Sequence, residues 1–350
     1  MKNKKRILFL TPSIGFGGAE KNLIYISNIY SKSYDIDFLI LQKRKSNFEK
    51  TIFNKKINIF ETNFKRTFYA FFAMLRKINK NKYNYVITSS IQINFYLVII
   101  KFLTINKFEL IHRESNYPQI RKFSLQYIFN FFLRLFYIGS DKLIVQNDII
   151  KKKLIKFFFI NKKKIFKIDN LIDLQYIKKK SQEKLKFKKS NNEKILINVA
   201  ALNEQKNQIE ILRALKLLSN QNLKYKMFFI GEGPQLKNLK NFIKINKLKN
   251  IFFLRNKKNP YKYIRNSDLF ILSSKWEGTP NVLIESELLQ TKIISSNCKT
   301  GPMELKKFGF NIELYKSGDH AKLAKIIKNN FEFKLSKRDN TNLLKNINKK

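Results

Sequence analysis

The stretch RILFLTPSIGFGGAEK, residues 6–21, joins an apolar run to a glycine-rich segment and the start of a helical pattern. RILFLT has the continuous apolar character of a strand that is buried on both faces of a sheet. The glycines permit a tight turn, and we predict a helix over residues 19–30. A strand, a turn and a helix in this order form the first unit of a parallel α/β sheet.

The same alternation of short apolar runs and helix-length segments continues along the chain. It predicts two doubly wound, Rossmann-like α/β domains in tandem, each built on a parallel sheet. Ligands of such sheets bind beyond the carboxyl ends of the strands, so two domains that face each other would form a binding cleft. The further strands are predicted at residues 35–41, 85–89, 109–113, 142–146, 194–200, 226–231, 250–254, 268–273 and 292–296.

The alternation pauses over LQYIKKKSQEKLKFKKSNN, residues 174–192, which is polar and strongly charged. We interpret this segment as a linker or surface connection. The prediction is therefore an N-terminal domain over 1–174, a C-terminal domain over 175–330, and a tail or final helix over 331–350. A length of 350 residues agrees with about two domains.

Charge and composition limit the classes of protein. The chain has 71 Lys and Arg against 25 Asp and Glu, a formal net charge of +46. Genome composition is one explanation, because Lys, Asn, Ile and Phe share AT-rich codons; an anionic lipid, phosphorylated substrate or nucleic acid is the other. Apolar content of 44% excludes a disordered chain. The single cysteine, Cys298, excludes an intramolecular disulfide and fits a reducing compartment.

Targeting segments are not predicted. The basic start followed by ILFL is similar to a signal peptide, but the apolar run is too short and breaks at Thr11 and Pro12. Lys101 and Arg134 interrupt the two longest apolar stretches, so no uninterrupted run reaches the length of a transmembrane helix. We expect a cytoplasmic protein.

Several turns between strands and helices carry residues suited to phosphate binding. Gly17 and Gly18 precede the first helix, whose free amides favour anions, although a plain turn is the alternative. The glycine spacing differs from G-x-G-x-x-G and does not support NAD binding. Lys206, predicted at a helix start, can reach a phosphate, whereas most lysines in so basic a chain are simply solvated. The glycines of GEGP, residues 231–234, are interpreted as structural.

The segment SKWEGTPNVLIESE, residues 274–287, predicts a turn and then a helix that begins at Asn281 and Val282. Amides at that helix start can bind a diphosphate. Glu277 would lie in the turn and Glu285 about one turn inside the helix. Carboxylates accept hydrogen bonds from sugar hydroxyls, and ordinary surface acids are the alternative.

A polar run, IHRESNYP, ends the strand predicted at 109–113. His112, Arg113, Glu114 and Asn116 stand where a ligand site is expected, with a salt-bridged loop as the alternative. The second histidine, His320, is assigned no role.

GGAEK, EQKNQ, GEGP and EGTPNVLIESE occur in this order over nearly the whole chain. The ordered set resembles the family-4 type of retaining, nucleotide-sugar-dependent glycosyltransferases, which have the GT-B fold. IDNLID (168–173) resembles the family's interdomain motif, with Leu171 where proline is usual, and CKTGPMEL (298–305) resembles a segment of a subgroup that makes surface glycans. The resemblance implies sugar transfer from a nucleoside-diphosphate sugar to a glycan or lipid-linked acceptor, with retention, in polysaccharide, lipopolysaccharide or glycoconjugate biosynthesis.

The resemblance also implies roles for matched positions. Glu277 would contact the donor sugar near the reacting carbon and is the candidate catalytic residue, while Glu285 would bind the ribose hydroxyls. Lys206 would pair with the diphosphate. The implied donor site comprises Gly17, Gly18, Lys206, Gly278, Asn281, Val282 and Glu285, and the acceptor side comprises His112, Arg113, Glu114 and Asn116.

One position departs from the family. Ala201 stands where an arginine is usual, so one phosphate-binding cation is missing, and Arg113, Arg255 and Arg265 are candidate substitutes. The sequence has no His/Cys cluster, so we expect neither a metal nor another cofactor. Lys206 and helix-start amides would then neutralise the leaving diphosphate.

Residues 67–82 and 119–139 mix aromatics with Lys and Arg. Core packing is one explanation; the other is a face that docks on anionic lipid at the inner surface of the cell membrane. Two rival functions stay open: an NDP-sugar epimerase of similar fold, and a non-enzymatic nucleic-acid binder. No RRM, OB, KH or zinc-finger pattern supports nucleic acid as a partner, and the basic residues are dispersed.

Overall fold

A computed structural model describes residues 4–14, 17–42, 52–64, 67–115, 126–185, 193–298 and 300–332. The chain divides into two compact units, Met1–Ile172 and Asp173–Lys350, and the division lies two residues before the predicted boundary. Each unit is built on one parallel sheet, so the predicted pair of α/β domains is confirmed.

The N-terminal unit contains a seven-stranded sheet in the described residues. Its strands are β1 (Arg6–Thr11), β2 (Asp35–Ile40), β3 (Ile57–Glu61), β4 (Tyr85–Thr88), β5 (Glu109–Glu114), β6 (Lys142–Val145) and β7 (Ile165–Lys167). They lie in the order β3-β2-β1-β4-β5-β6-β7. The helices are α1 (Gly18–Tyr30), α2 (Phe71–Lys80), α3 (Ile91–Leu103), α4 (Gln126–Gly139) and α5 (Asp148–Phe158).

The C-terminal unit contains a six-stranded sheet in the described residues. Its strands are β8 (Lys194–Val199), β9 (Tyr225–Ile230), β10 (Ile251–Leu254), β11 (Leu269–Leu272), β12 (Lys292–Ser296) and β13 (Ile312–Tyr315), in the order β10-β9-β8-β11-β12-β13. The helices are α6 (Leu174–Ser181), α7 (Gln208–Leu218), α8 (Leu236–Ile245), α9 (Tyr261–Arg265), α10 (Asn281–Leu288), α11 (Pro302–Lys307) and α12 (His320–Glu332).

The central strands are apolar along their whole length because both of their faces are covered. In β1, Leu8 and Leu10 belong to a core with α2 and α3, whereas Ile7 and Phe9 belong to a second core with α1. Side chains alternate between the two faces of a strand, so a strand between two helical layers needs apolar residues at every position.

The segment predicted as a linker begins with a helix instead. The side chain of Asp173 accepts a hydrogen bond from the Tyr176 amide at 2.9 Å and caps α6, whose Ile177 is buried. Tyr176 also packs edge-on against Tyr261 of α9. A charged helix with one buried apolar position has the composition of a linker, so the sequence pattern did not indicate this helix. Residues 186–192 and 333–350, including the predicted tail beyond α12, lie outside the described residues.

Strand order reverses once in each sheet. The chain runs outward from β1 to β2 and β3, then returns to β4 on the other side; it runs from β8 to β9 and β10, then returns to β11. The carboxyl ends of strands at such a reversal form a crevice that commonly binds ligands. The turns after β1, β8 and β11 are therefore the places to look for a site. Within the described ranges, no helix has both the length and the apolar character needed to cross a bilayer.

Candidate functional site

The turn after β8 fixes the position of Lys206. The Lys206 amide donates to Asn203 Oδ1 at 3.0 Å, and its carbonyl accepts from Ser273 Oγ at 2.9 Å. Asn207 has a left-handed backbone with φ of 49°, and α7 begins only at Gln208. The prediction that Lys206 begins a helix is therefore wrong by two residues, because the left-handed residue interrupts helical geometry.

Glu277 lies in the turn after β11 and meets Lys206. Lys206 Nζ is 2.6 Å from Glu277 Oε1 and 2.9 Å from Oε2, and Ser274 Oγ donates to Oε1 at 2.5 Å. Glu277 is buried, so this is a charge-assisted contact in a low-dielectric setting. The Lys206–Glu277 ion pair thus joins the turns that follow the two strands, β8 and β11, at the reversal of the sheet. The resemblance implied that Lys206 binds a phosphate and Glu277 a sugar, but the contact between these two residues was not predicted.

A third segment supports this turn. Thr300 Oγ1 donates to the Glu277 carbonyl, and Ser296 Oγ donates to the Ser274 carbonyl at 2.7 Å. A Cβ atom at Gly301, where φ is 88°, would lie 2.6 Å from the Gly278 carbonyl oxygen. Thr300 and Gly301 of the CKTGPMEL segment therefore pack against the turn that holds Glu277. The sequence distinguished this segment only by its resemblance to a surface-glycan subgroup, and its contact with Glu277 was not predicted.

Helix α10 begins at Asn281, as predicted, with Val282 next and Gly278 in the preceding turn. Glu285 lies in its second turn and is buried, and its Oε2 atom has no hydrogen-bond partner among the described residues. An unpaired buried carboxylate oxygen is unfavourable unless a ligand donates to it. This geometry fits a carboxylate that accepts a hydrogen bond from a substrate hydroxyl.

Two candidate substitutes for the arginine missing at Ala201 lie at opposite edges of the C-terminal sheet. Arg255 directly follows β10, so it lies at the carboxyl edge of the sheet. Arg265 precedes β11 and donates to Ser181 Oγ of α6 at 3.4 Å, so it lies at the amino edge, away from the site. Arg265 is therefore excluded as a substitute. The GEGP glycines have the structural role that was predicted: a Cβ at Gly233 would lie 2.3 Å from the Leu202 carbonyl oxygen.

In the N-terminal unit, three of the predicted acceptor-side residues, His112, Arg113 and Glu114, lie in β5 and are buried, which corrects the alternative of a salt-bridged loop for them. Glu114 Oε2 accepts a hydrogen bond from Tyr137 at 2.5 Å and lies 3.5 Å from His112 Nε2. Burial and the Glu114 charge together raise the pKa of Tyr137. Arg113 donates to Asn170 Oδ1. Asn116 lies outside the described residues.

Gly17 caps α1 and Gly18 is its first residue, so the helix begins one residue earlier than predicted. The carboxylate of Glu20 folds back toward this helix start, since a Cβ at Gly17 would lie 2.2 Å from Glu20 Oε2. An anion that approaches the start of α1 would therefore come close to the Glu20 carboxylate.

Among the described residues, no three His, Cys, Asp or Glu side chains group as metal ligands do. Burial, then the Glu277 charge, raises the pKa of the Cys298 thiol to about 12, so Cys298 is a protonated core residue.

The comparisons with known proteins agree with this geometry. Residues 179–343 match the family Glycosyl transferases group 1. The chain is 34% identical over 176 residues to an uncharacterised glycosyltransferase of Methanocaldococcus jannaschii, covering 49% of this chain and 43% of that one. It is 27% identical over 226 residues to a Campylobacter jejuni N-acetylgalactosaminyltransferase named for a diphospho-undecaprenol-linked acceptor, covering 63% and 60%. The chain thus spans about half the length of these relatives.

Anabaena HepE, solved with UDP and glucose, has a TM-score of 0.73 to this chain at 19% identity, covering 92% of this chain and 89% of HepE. At that identity the likeness shows the fold, and it confirms the two-sheet architecture implied by the resemblance to GT-B glycosyltransferases. The segment that matches the group 1 glycosyltransferase family, residues 179–343, carries Lys206, Glu277 and Glu285.

Proposed function

We propose that the protein is a glycosyltransferase that moves a sugar from a nucleoside-diphosphate sugar to a glycan or lipid-linked acceptor, with retention of configuration. The Lys206–Glu277 ion pair at the strand reversal carries this proposal, because it places a cation and a carboxylate beside the start of α10. The name of the Campylobacter jejuni relative, which acts on a lipid diphosphate, favours glycoconjugate or polysaccharide biosynthesis.

The residues divide the chemistry of transfer between them. As the bond to the leaving diphosphate breaks, negative charge grows on that group and positive charge on the anomeric carbon. Lys206 and the amides of Asn281 and Val282 stabilise the diphosphate, and Glu277 orients the sugar. Glu285 accepts hydrogen bonds from ribose hydroxyls through its unpaired Oε2. This division uses no metal, and attack occurs on the face that the diphosphate leaves.

An anionic membrane surface is the proposed location of the acceptor. On α4, Leu133 and Tyr137 face the core, whereas a second apolar stripe is exposed. Core packing therefore explains only part of this aromatic helix. The spacing of three or four residues places the exposed side chains on one face: Ile128, Phe131, Phe132, Leu135 and Ile138. An exposed apolar stripe on a chain of net charge +46 fits peripheral binding to anionic lipid at the inner face of the cell membrane.

The decisive experiment incubates the protein with a panel of NDP-sugars and lipid-linked acceptors and follows both products. Acceptor-dependent release of nucleoside diphosphate, with a new glycosidic bond, supports transfer. Epimerised donor without release would instead identify an NDP-sugar epimerase. Tight, salt-sensitive binding of nucleic acid with no turnover of any donor would favour the non-enzymatic alternative.

A further inference from the structure

The guanidinium of Arg113 is a buried charge, and two of its nitrogens have no hydrogen-bond partner among the described residues. Arg113 is 1% exposed, and one of its nitrogens, Nη2, donates to Asn170 Oδ1. Nε and Nη1 have no hydrogen-bond partner among the residues that the structure describes. A neutral carboxamide is therefore the sole described partner of a fully buried cation.

The neighbouring carboxylate of Glu114 does not accept a hydrogen bond from Nε or Nη1 of Arg113. Arg113 and Glu114 are consecutive in β5, so their side chains point to opposite faces of the sheet. On its own face, Glu114 accepts the hydrogen bond from Tyr137 and lies near His112. Burial lowers the pKa of Arg113 to about 10, against a weaker opposing effect of the Glu114 charge, so the guanidinium is charged at neutral pH.

Arg113 lies at the carboxyl edge of the sheet, beside the strand reversal. His112 pairs with Thr88, the last residue of β4, so Arg113 comes one residue beyond that end. Its partner Asn170 precedes Leu171, whose carbonyl accepts a hydrogen bond from Asn22 of α1 at 3.0 Å. Arg113 and α1 thus contact adjacent residues of one segment, and the Oδ1 atom of Asn22 is also buried without a partner.

We propose that Arg113 is a phosphate-binding residue of the N-terminal unit, and that its free N–H groups bind an oxygen of a substrate diphosphate while Asn170 holds the guanidinium in place. The inference rests on the proposed function and extends it, because it names a residue that binds a phosphate of the substrate. Guanidinium groups bind phosphate oxygens through charge-assisted hydrogen bonds. Since Arg113 is buried, the phosphate enters through a local opening of the residues around it.

The diphosphate has two chemical sources, the sugar nucleotide and a lipid-diphosphate acceptor. Arg113→Met removes the charge and approximately keeps the volume, and Arg76→Met removes an exposed arginine of the same unit as a control. We expect Arg113→Met to weaken binding of inorganic pyrophosphate about 10-fold in calorimetry, as loss of a charge-assisted hydrogen bond predicts, and Arg76→Met to leave it unchanged. A rise in KM for the donor alone assigns the phosphate to the donor, and a rise for the lipid-diphosphate acceptor alone assigns it to the acceptor.

A purely structural arginine gives a different pattern. It predicts that Arg113→Met lowers the unfolding temperature while pyrophosphate affinity and both KM values stay as in the wild type, and this result overturns the proposal. Asn170→Ala, which leaves the charge but frees the guanidinium, provides a second variant in case Arg113→Met does not fold, and it should also weaken pyrophosphate binding. Because pyrophosphate binding needs no turnover, this arm stays informative even if no sugar transfer is found.

Discussion

Lys206 Nζ lies 2.6 Å from Glu277 Oε1, so a half-buried lysine after β8 and a buried glutamate after β11 form an ion pair where the strand order reverses. The charge that would bind a diphosphate and the carboxylate that would orient the sugar therefore depend on each other. Residues that share one contact have non-additive effects when both are changed.

We expect Lys206→Met and Glu277→Gln each to lower turnover about 100- to 1,000-fold, the range for loss of one electrostatic contact to a transition state. The double variant should lose little more than the worse single variant. Lys275 and Glu204, which lie 3.5 Å apart and are exposed, provide a matched control, because they join the same two turns. Lys275→Met should change turnover less than twofold, since exposed pairs contribute about 0–1 kcal/mol. Full turnover of Glu277→Gln at saturating donor would refute the catalytic assignment.

A variant at Glu285 distinguishes a role in donor binding from a role in stability. Because its Oε2 has no partner in the described residues, Glu285→Gln removes a buried unpaired charge. The variant should unfold at the same or a higher temperature than the wild type, while KM for the donor rises about 10-fold through loss of a hydrogen bond to a hydroxyl. Calorimetry and steady-state kinetics check the two effects. A fall in unfolding temperature with unchanged KM would show that Glu285 is only structural.

Gly301 and Gly318 form a matched pair of left-handed glycines, with φ of 88° and 93°. An added Cβ at Gly301 would collide with the turn that holds Glu277, whereas a Cβ at Gly318 meets nothing within 4 Å. Both alanine variants should lose about 1–2 kcal/mol of stability from backbone strain. Turnover at a temperature where both are folded should fall at least 10-fold in Gly301→Ala alone, as misplacement of a catalytic group predicts. Equal turnover in the two variants would contradict the supporting role of this segment.

Asp37 links the stability of the N-terminal unit to pH. Burial alone would raise the pKa of Asp37, but hydrogen bonds from Tyr83, Asn58 and Lys77 outweigh it and lower the pKa below the ordinary 3.8. The folded state therefore favours the ionised carboxylate. Its contribution is fully present above pH 3.8 and is lost as pH falls through the lower folded value.

Asp37→Asn should accordingly cost about 1–3 kcal/mol at pH 7. The difference in unfolding temperature between wild type and variant should shrink as the pH falls below about 4. Calorimetry of both proteins from pH 3 to pH 7 provides the measurement. A difference that grows toward acid pH would show that the sign of the shift is wrong.

The exposed stripe of α4 predicts membrane binding. Phe131 and Phe132 are 56% and 47% exposed, so changing both to serine should preserve the fold and weaken sedimentation with phosphatidylglycerol vesicles about 10-fold or more. Ile245→Ser, which changes an exposed apolar residue of α8, is the control and should sediment like the wild type. Wild-type protein that does not sediment with vesicles at low salt would contradict this prediction. A dimer that the Phe variant abolishes would instead place a second copy of the chain on this stripe.

Sequence reasoning located the central strands because burial on both faces forces continuous apolar runs, as in β1 and β8. It missed the edge strands β3, β7 and β13, because β3 and β7 are largely exposed and β13 is only half-buried, so none has such a run. It also missed α6, because a single buried isoleucine is too weak a pattern to indicate a helix.

The sequence by itself predicted the local features of the candidate site in the C-terminal unit: an acid in a turn, a helix that starts at Asn281 and a second acid inside that helix. These features depend on residues within one turn and one helix, so sequence spacing is enough to predict them. The ion pair of Lys206 with Glu277, 71 positions away, and the support from Thr300 were decided by tertiary structure. The same holds for the burial of Arg113, because only the order of the strands brings such distant segments of the chain together.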